Sequence, residues 1–142
     1  MLLMTGCATV QVANYIKDDH PYTRRVYGSF DKVADAVRDV LAQEGFKITD
    51  EVDPAVFERD ERYERAGARN LLIFTSVKQL PRVVYSKYFH LNIYLRSLAD
   101  STEVEVRYAK ATNIMVKQFK GTRNDPYVNR LLDAIEAEIA NK

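Results

Sequence analysis

Few residues of this chain combine a type and a spacing that could support chemistry. His20 and His90 are its two histidines, and neither has a second histidine four positions away to complete a metal site. No serine stands in a G-x-S-x-G elbow, and none of the five glycines belongs to a phosphate-binding loop. The neighbouring carboxylates at 18–19 and 50–53 lie beside turn residues, where burial does not tune an acid for catalysis. The sequence therefore predicts a protein that is not an enzyme and holds no metal or cofactor.

The single cysteine is the residue whose surroundings carry a recognisable pattern. Cys7 follows Met4, Thr5 and Gly6 and precedes Ala8. An apolar residue, a small residue and a glycine directly before cysteine resemble the lipobox of bacterial lipoprotein signal peptides. The resemblance implies cleavage before Cys7, and a diacylglycerol and a fatty acyl chain such as palmitate on this residue. Ala8 resembles the outer-membrane pattern, which implies an anchor in the outer membrane with the protein facing the periplasm.

This interpretation predicts three segments: residues 1–6 as the remnant of a signal peptide, residues 7–21 as a lipidated tether, and residues 22–142 as a single domain. Val10, Val12, Tyr15 and Ile16 of this tether could dock somewhere. The alternative is a cytosolic protein in which Cys7 is incidental, because a secretory signal has a basic start and an apolar stretch of about 7–15 residues, and Met1 to Met4 supply neither.

Length and composition agree with one globular domain. The chain has 142 residues, of which 46% are hydrophobic and 29% are charged, with a formal net charge of +1. A mixed-sign surface gives no overall field that would attract nucleic acid, so no nucleic-acid partner is predicted. No apolar run approaches the roughly 18 residues that a membrane-spanning helix needs.

Hydrophobic periodicity predicts two amphipathic helices around a set of strands. The first helix starts after Ser29 as N-cap and ends before Gly45, and the second starts at Asp125 as N-cap with Pro126 behind it. Between them, Leu71–Val77, Val83–Leu95 and Val104–Tyr108 have the apolar content or the alternation of strands. The predicted fold class is α+β: an antiparallel sheet of four to six strands with two helices on one face, in the order β-α-β-strands-α.

The phrase SFDKVADAVRDVLAQEGFKI, from Ser29 to Ile48, reads like the first helix of many small envelope domains. With the lipobox in front, the chain from about Tyr22 onward resembles the α+β lipoprotein domains of the BamC type and of uncharacterised bacterial lipoprotein families. This resemblance concerns the order of elements and implies no catalytic residue.

A partner-binding surface is predicted on the side of the sheet away from the helices. Tyr88, Tyr94 and Arg96 lie at even-numbered positions of one predicted strand and so point to the same face, whereas the odd-numbered positions are apolar. Tyrosine and arginine are enriched in protein interfaces. Tyr85 or Tyr108 would join them if the register permits. His90 has the same parity and is expected to be a sheet-surface residue. A basic cluster that includes Lys117, Lys120 and Arg123 is a second candidate contact surface. It could bind phosphate, peptidoglycan carboxylates or an acidic partner.

These observations predict a lipid-anchored, non-enzymatic accessory protein of the bacterial cell envelope, which binds a protein or the cell wall through its sheet. The alternative is a small-ligand carrier with an apolar pocket between helices and sheet, lined by Phe46, Phe74, Phe89 and Tyr108.

Overall fold

The computed structural model describes residues 15–16, 21–57, 68–80, 87–111 and 120–141. These residues form an α+β domain, which confirms the predicted fold class. Its strands are β1 (Tyr22–Val26), β2 (Ile48–Val52), β3 (Asn70–Thr75), β4 (Lys78–Leu80), β5 (Lys87–Ser97), β6 (Thr102–Ala111) and β7 (Lys120–Thr122). Its helices are α1 (Phe30–Gln43) and α2 (Asp125–Ala140), and a short 3₁₀ helix spans Pro54–Val56.

The strands form one antiparallel sheet in the order β1-β6-β5-β3-β2. The two short strands extend it, since β4 pairs with the start of β5 and β7 pairs with the end of β6. The hairpin of β5 and β6 is the centre of the sheet, with cross-strand pairs from Tyr88 opposite Ala111 to Ser97 opposite Thr102. The five longer strands fall within the predicted number.

Helix α1 begins and ends as its sequence predicts. The side chain of Ser29 accepts a hydrogen bond from the backbone N–H of Lys32 as N-cap. Gly45 follows the helix with a φ of 88°, a conformation that costs glycine little. The ammonium group of Lys78 donates a hydrogen bond to the carbonyl oxygen of Glu44 and lies 5.1 Å from the ring centroid of Phe46. A cation therefore meets the negative end of the helix dipole.

Helix α2 begins one residue earlier than expected. Its N-cap is Asn124, whose side-chain oxygen accepts from the backbone N–H of Tyr127, and not Asp125 as the sequence predicted. The carboxylate of Asp125 accepts a hydrogen bond from the Tyr22 hydroxyl at 2.6 Å, and the same hydroxyl accepts from the backbone N–H of Asn124 at 2.7 Å. The first strand therefore fixes the start of the last helix.

Both helices pack on the same face of the sheet, hereafter the helix face. The core between them is built from the apolar parity of each strand, including Leu91, Ile93 and Leu95 of β5, together with the apolar stripes of α1 and α2. Leu41 and Leu132 are 0% and 2% exposed. Within the described residues, no helix is long and apolar enough to cross a membrane.

The opposite face of the sheet, hereafter the far face, carries a smaller layer of its own. Leu72, Phe74 and Tyr94 are fully buried there, and Tyr15, Val52 and Phe57 pack against them. If the helices were the sheet's sole cover, the far face would be open to solvent. It is instead covered where β3 and β5 pair. Part of the cover comes from residues 15–16, which the sequence assigned to the tether.

Truncation of a core leucine tests the docking of α2. Leu132→Ala should lower the free energy of unfolding by about 2–5 kcal/mol, because it removes buried methyl groups and leaves a cavity. The measurement is urea unfolding followed by circular dichroism. Val56→Ala is the control, since Val56 is 70% exposed and its truncation should change stability by no more than about 0.5 kcal/mol. Equal midpoints for the two variants would mean that α2 is not docked.

Candidate functional site

The far face contains a buried cluster of charged residues at the centre of the sheet. Glu105 of β6 accepts hydrogen bonds from two arginines, through one carboxylate oxygen from Arg96 at 2.6 Å and through the other from Arg107 at 2.7 Å. The three side chains are 7–8% exposed. Glu103 lies 3.8 Å from Arg96 at the rim of the cluster. Burial makes these pairs costly to break, because a charge left behind would lack both water and counter-charge.

Tyr94 lies between the two arginines of this cluster. The guanidinium carbons of Arg96 and Arg107 lie 4.7 and 4.5 Å from its ring centroid, and the tyrosine is fully buried. Both cations therefore interact with the negative face of one aromatic ring in a desolvated setting, where such contacts are strongest. The arrangement holds both guanidinium groups in place.

Residues 15–16 lie across this cluster. The backbone N–H of Ile16 donates to the side-chain oxygen of Asn92 at 2.6 Å, and its carbonyl oxygen accepts from Arg107 at 2.9 Å. The Ile16 side chain is 4% exposed. The ring of Tyr15 stacks on Phe57, with centroids 4.5 Å apart and an angle of 9° between the planes. The backbone of Ile16 is thus held by side chains of the two central strands.

The predicted surface residues of β5 have the expected parity, but two of them are not exposed. Tyr94 and Arg96 point to the far face, as their alternation predicts, yet they are 0% and 7% exposed. The prediction of an open aromatic surface is therefore wrong at these two positions, because Tyr94 belongs to a layer covered by Tyr15 and Phe57 and Arg96 is buried in its ion pair with Glu105. Tyr88, near the start of the same strand, is half-buried.

Two of the other predicted contact residues, Arg123 and Tyr108, lie away from this cluster. Arg123 is exposed and packs over the Tyr22 ring at 3.9 Å, on the helix side of the sheet, with Asp125 at 3.2 Å. Tyr108 lies in the helix-face core, so the register does not bring it to the far face. Lys120 lies in β7. Cys7, Tyr85 and Lys117 lie outside the described residues.

His90 is buried on the far face, although the sequence placed it on the sheet surface. Its parity is as predicted, but its exposed fraction is 0%. Burial lowers the pKa of this histidine from 6.5 to about 4, since an uncharged ring is favoured away from water. His90 is therefore neutral in the folded protein at physiological pH.

The four aromatic residues expected to line a carrier pocket do not share one space. Phe89 contacts both Phe46 and Tyr108 in the helix-face core, with ring centroids 5.6 Å apart in the first pair and 5.3 Å apart in the second. Phe74 lies on the far face, against Phe57 at 5.6 Å. The prediction that these rings form one pocket is wrong, because the sheet separates Phe74 from the other three.

A cleft of about 380 Å³ lies elsewhere, between the start of α1 and the start of β3. Arg69 pairs there with Asp31 at 2.8 Å and covers the Phe30 ring at 4.6 Å. Arg38 is held by Glu51 at 2.9 Å. Asp31, Arg38 and Arg69 of the cleft are thus each in an ion pair. No group of three or more histidine, cysteine or acidic residues within the described ranges is placed to hold a metal ion.

Sequence reasoning missed the residues that hold the segment at 15–16. Asn92 shares the parity of the predicted surface residues of β5, whereas Glu105 and Arg107 only alternate with apolar residues in their strand and no role was predicted for them. A signal was present in the β5–β6 hairpin, because its turn at 98–101 sets a register that places Arg96 beside two glutamates of β6. Opposite charges that meet across strands indicate a paired network.

Comparison with known proteins concerns the fold. No family model matches the chain, and no curated protein matches it. The vertebrate conserved region of human METTL16 superposes with a TM-score of 0.51 and 13% identity, over 86% of this chain and 96% of that one. An uncharacterised conserved protein, DUF302 from Bacillus stearothermophilus, has a TM-score of 0.40 and 13% identity, over 87% of this chain and 95% of that one. The first similarity shows a shared fold and nothing of function, so the resemblance to BamC-type lipoproteins stays a prediction.

Removal of the central carboxylate tests the charged cluster. Glu105→Gln should lower the free energy of unfolding by about 3–5 kcal/mol, because two buried guanidinium groups lose their shared counter-charge. Glu103→Gln is the matched control, since Glu103 is more exposed and 3.8 Å from Arg96, and it should cost no more than about 1 kcal/mol. Urea unfolding at pH 7 measures both, and similar losses would contradict a central role for Glu105.

The buried histidine predicts a loss of stability in mild acid. Between pH 6.5 and about 4 the unfolded chain binds a proton at His90 that the folded chain does not, so stability falls as the pH falls through this range. The lowered pKa corresponds to about 3 kcal/mol in total. Urea unfolding of the wild type and of His90→Gln at pH 7.5, 5.5 and 4 measures the difference, which should shrink toward acid pH. Parallel curves would show that His90 titrates normally.

Proposed function

We propose that this chain is a lipid-anchored, non-enzymatic accessory protein of the bacterial cell envelope, held in the outer membrane and facing the periplasm, which binds a protein or peptidoglycan partner through its sheet. The observation that carries the proposal is the lipobox-like sequence from Met4 to Cys7 together with the docking of Ile16 on the far face. These two features join an acylation motif to a specific surface of the domain.

Chain length supports a domain that lies close to the membrane. Nine residue steps separate Cys7 from Ile16, and a fully extended chain covers at most about 3.3–3.6 Å per residue. A lipid on Cys7 would therefore keep the far face within about 30 Å of its attachment point. A partner that reaches this face would be met next to the bilayer.

The proposal of a non-enzymatic role is supported by how the charged residues of the far face are used. Arg96, Glu105 and Arg107 bond one another and the Ile16 backbone, so they act as a scaffold. His90 has its pKa lowered to about 4, which leaves it far from the value near neutrality that suits a general base. These groups favour a binding role.

Metabolic labelling tests the lipid anchor. Expressed from its own gene region in a Gram-negative host, the wild type should incorporate an alkyne analogue of palmitate and fractionate with the outer membrane. Cys7→Ser removes the acylated thiol and should abolish labelling. A wild-type protein that remains unlabelled and soluble in the cytoplasm would contradict the proposal.

Site-specific crosslinking tests which side of the domain meets a partner. Thr23 is exposed on β1 opposite Glu105, at the far face, whereas Ala137 is exposed on α2. A photoreactive benzophenone residue at Thr23 should give crosslinked products in intact cells, and the same residue at Ala137 should not. Products that form from Ala137 alone would place the partner on the helices.

A further inference from the structure

We infer that the far face is a binding site for an extended peptide segment of a partner protein, in which an aromatic residue precedes a β-branched aliphatic one. Tyr15 and Ile16 occupy this site as an intramolecular ligand. The inference rests on the proposed function in part, since it names the chemistry of a partner for the same face.

The first argument is that the site recognises main chain. Asn92 accepts from the N–H of Ile16, and Arg107 donates to the carbonyl oxygen of the same residue. Asn92 and Arg107 stand directly opposite each other in the β5–β6 pairing, so the sheet fixes their spacing. Every non-proline residue offers the same donor and acceptor. The pair can therefore hold the backbone of any extended segment.

The second argument is that these two side chains are fixed by the sheet itself. Arg107 is bonded to Glu105 at 2.7 Å and stacked on Tyr94 at 4.5 Å. The amide nitrogen of Asn92 donates to the carbonyl oxygen of Leu91 at 3.1 Å, which turns the side-chain oxygen toward Ile16. A site whose groups are already ordered loses less conformational entropy when a ligand binds.

The third argument concerns the side chains that the site selects. The Ile16 side chain is 4% exposed, so this position takes an aliphatic group of similar size. Tyr15 stacks face to face on Phe57, which itself packs edge-on against Phe74. The Phe57 ring can therefore stack with an aromatic residue that comes directly before the aliphatic one in the bound segment. The two positions together define a short motif.

The fourth argument is that the resident segment can be exchanged without breaking the sheet. Tyr15 and Ile16 belong to no strand, and the backbone of Ile16 is hydrogen-bonded to side chains that lie 76 and 91 residues away in sequence. Displacement would leave every strand pairing in place. It would also leave buried polar groups of Asn92 and Arg107 that a second peptide backbone can satisfy.

Peptide binding to the full chain tests the inference. The probe is a fluorescein-labelled peptide with the sequence of residues 10–20, and binding is followed by fluorescence anisotropy. It should bind Ile16→Asp at least tenfold more tightly than the wild type, because a charged residue ejects the resident segment, whereas in the wild type that segment competes at a high effective concentration. A control peptide with aspartate in place of isoleucine should bind at least tenfold more weakly.

A second variant locates the binding. Asn92→Ala in the Ile16→Asp background removes the acceptor for the peptide N–H and should weaken binding at least tenfold, with circular dichroism showing that both variants are folded. If either variant fails to fold, hydrogen exchange is measured on the wild type instead. An excess of the probe peptide should accelerate exchange of the Ile16 amide, because it displaces the resident segment. The control peptide should leave the exchange rate unchanged.

Several results would overturn the inference. These are the absence of probe binding, equal binding by the wild type and Ile16→Asp, equal binding after Asn92→Ala, or an Ile16 amide that the probe leaves unchanged. Dimerisation of the wild type in sedimentation, lost in Ile16→Asp, would assign the site to a second copy and also overturn it. Lipidation and fractionation do not depend on this site, so its failure is distinguishable from failure of the proposed function.

Discussion

The two central strands of this domain are buried on both of their faces, and the rest of the architecture follows from that constraint. Each buried side chain of β5 and β6 must find a partner either among the helices or on the far face. On the helix face the partners are apolar and the contacts are non-directional. On the far face charged groups are buried, so their partners must be supplied at defined distances and angles. Glu105 meets this requirement by giving one oxygen to each of two arginines.

The helix face and the far face therefore require different properties of the segments that pack on them. The helices cover their face with broad stripes of aliphatic side chains, and many substitutions of similar volume would serve. The far face presents an amide oxygen and a guanidinium group whose positions are set by strand pairing, and these require a backbone in register. Directional polar contacts make such a surface selective for the segment that covers it.

The parts that the sequence predicted well are those whose signals are local. Helix α1 carries its N-cap, its apolar stripe and its terminal glycine within one short stretch, and all three act as expected. The start of α2 was shifted by one residue, because either Asn124 or Asp125 can cap a helix and the choice depends on Tyr22, about a hundred residues earlier. Alternation along β5 gave the correct parity for Tyr94 and Arg96, but parity does not tell which face meets solvent. That depends on Ile16 and Phe57, whose positions no periodicity predicts.

The pairing of β1 with β6 has a consequence for the order in which the chain folds. Tyr22 stands opposite Val106, and Arg24 bonds Asp133 and Glu136 near the end of the chain. β1 thus pairs with and contacts elements that lie far along the chain, and such long-range pairing forms slowly. The pairing of β1 can therefore form only once β6 has been synthesised, and the ion pairs of Arg24 only once α2 has been synthesised.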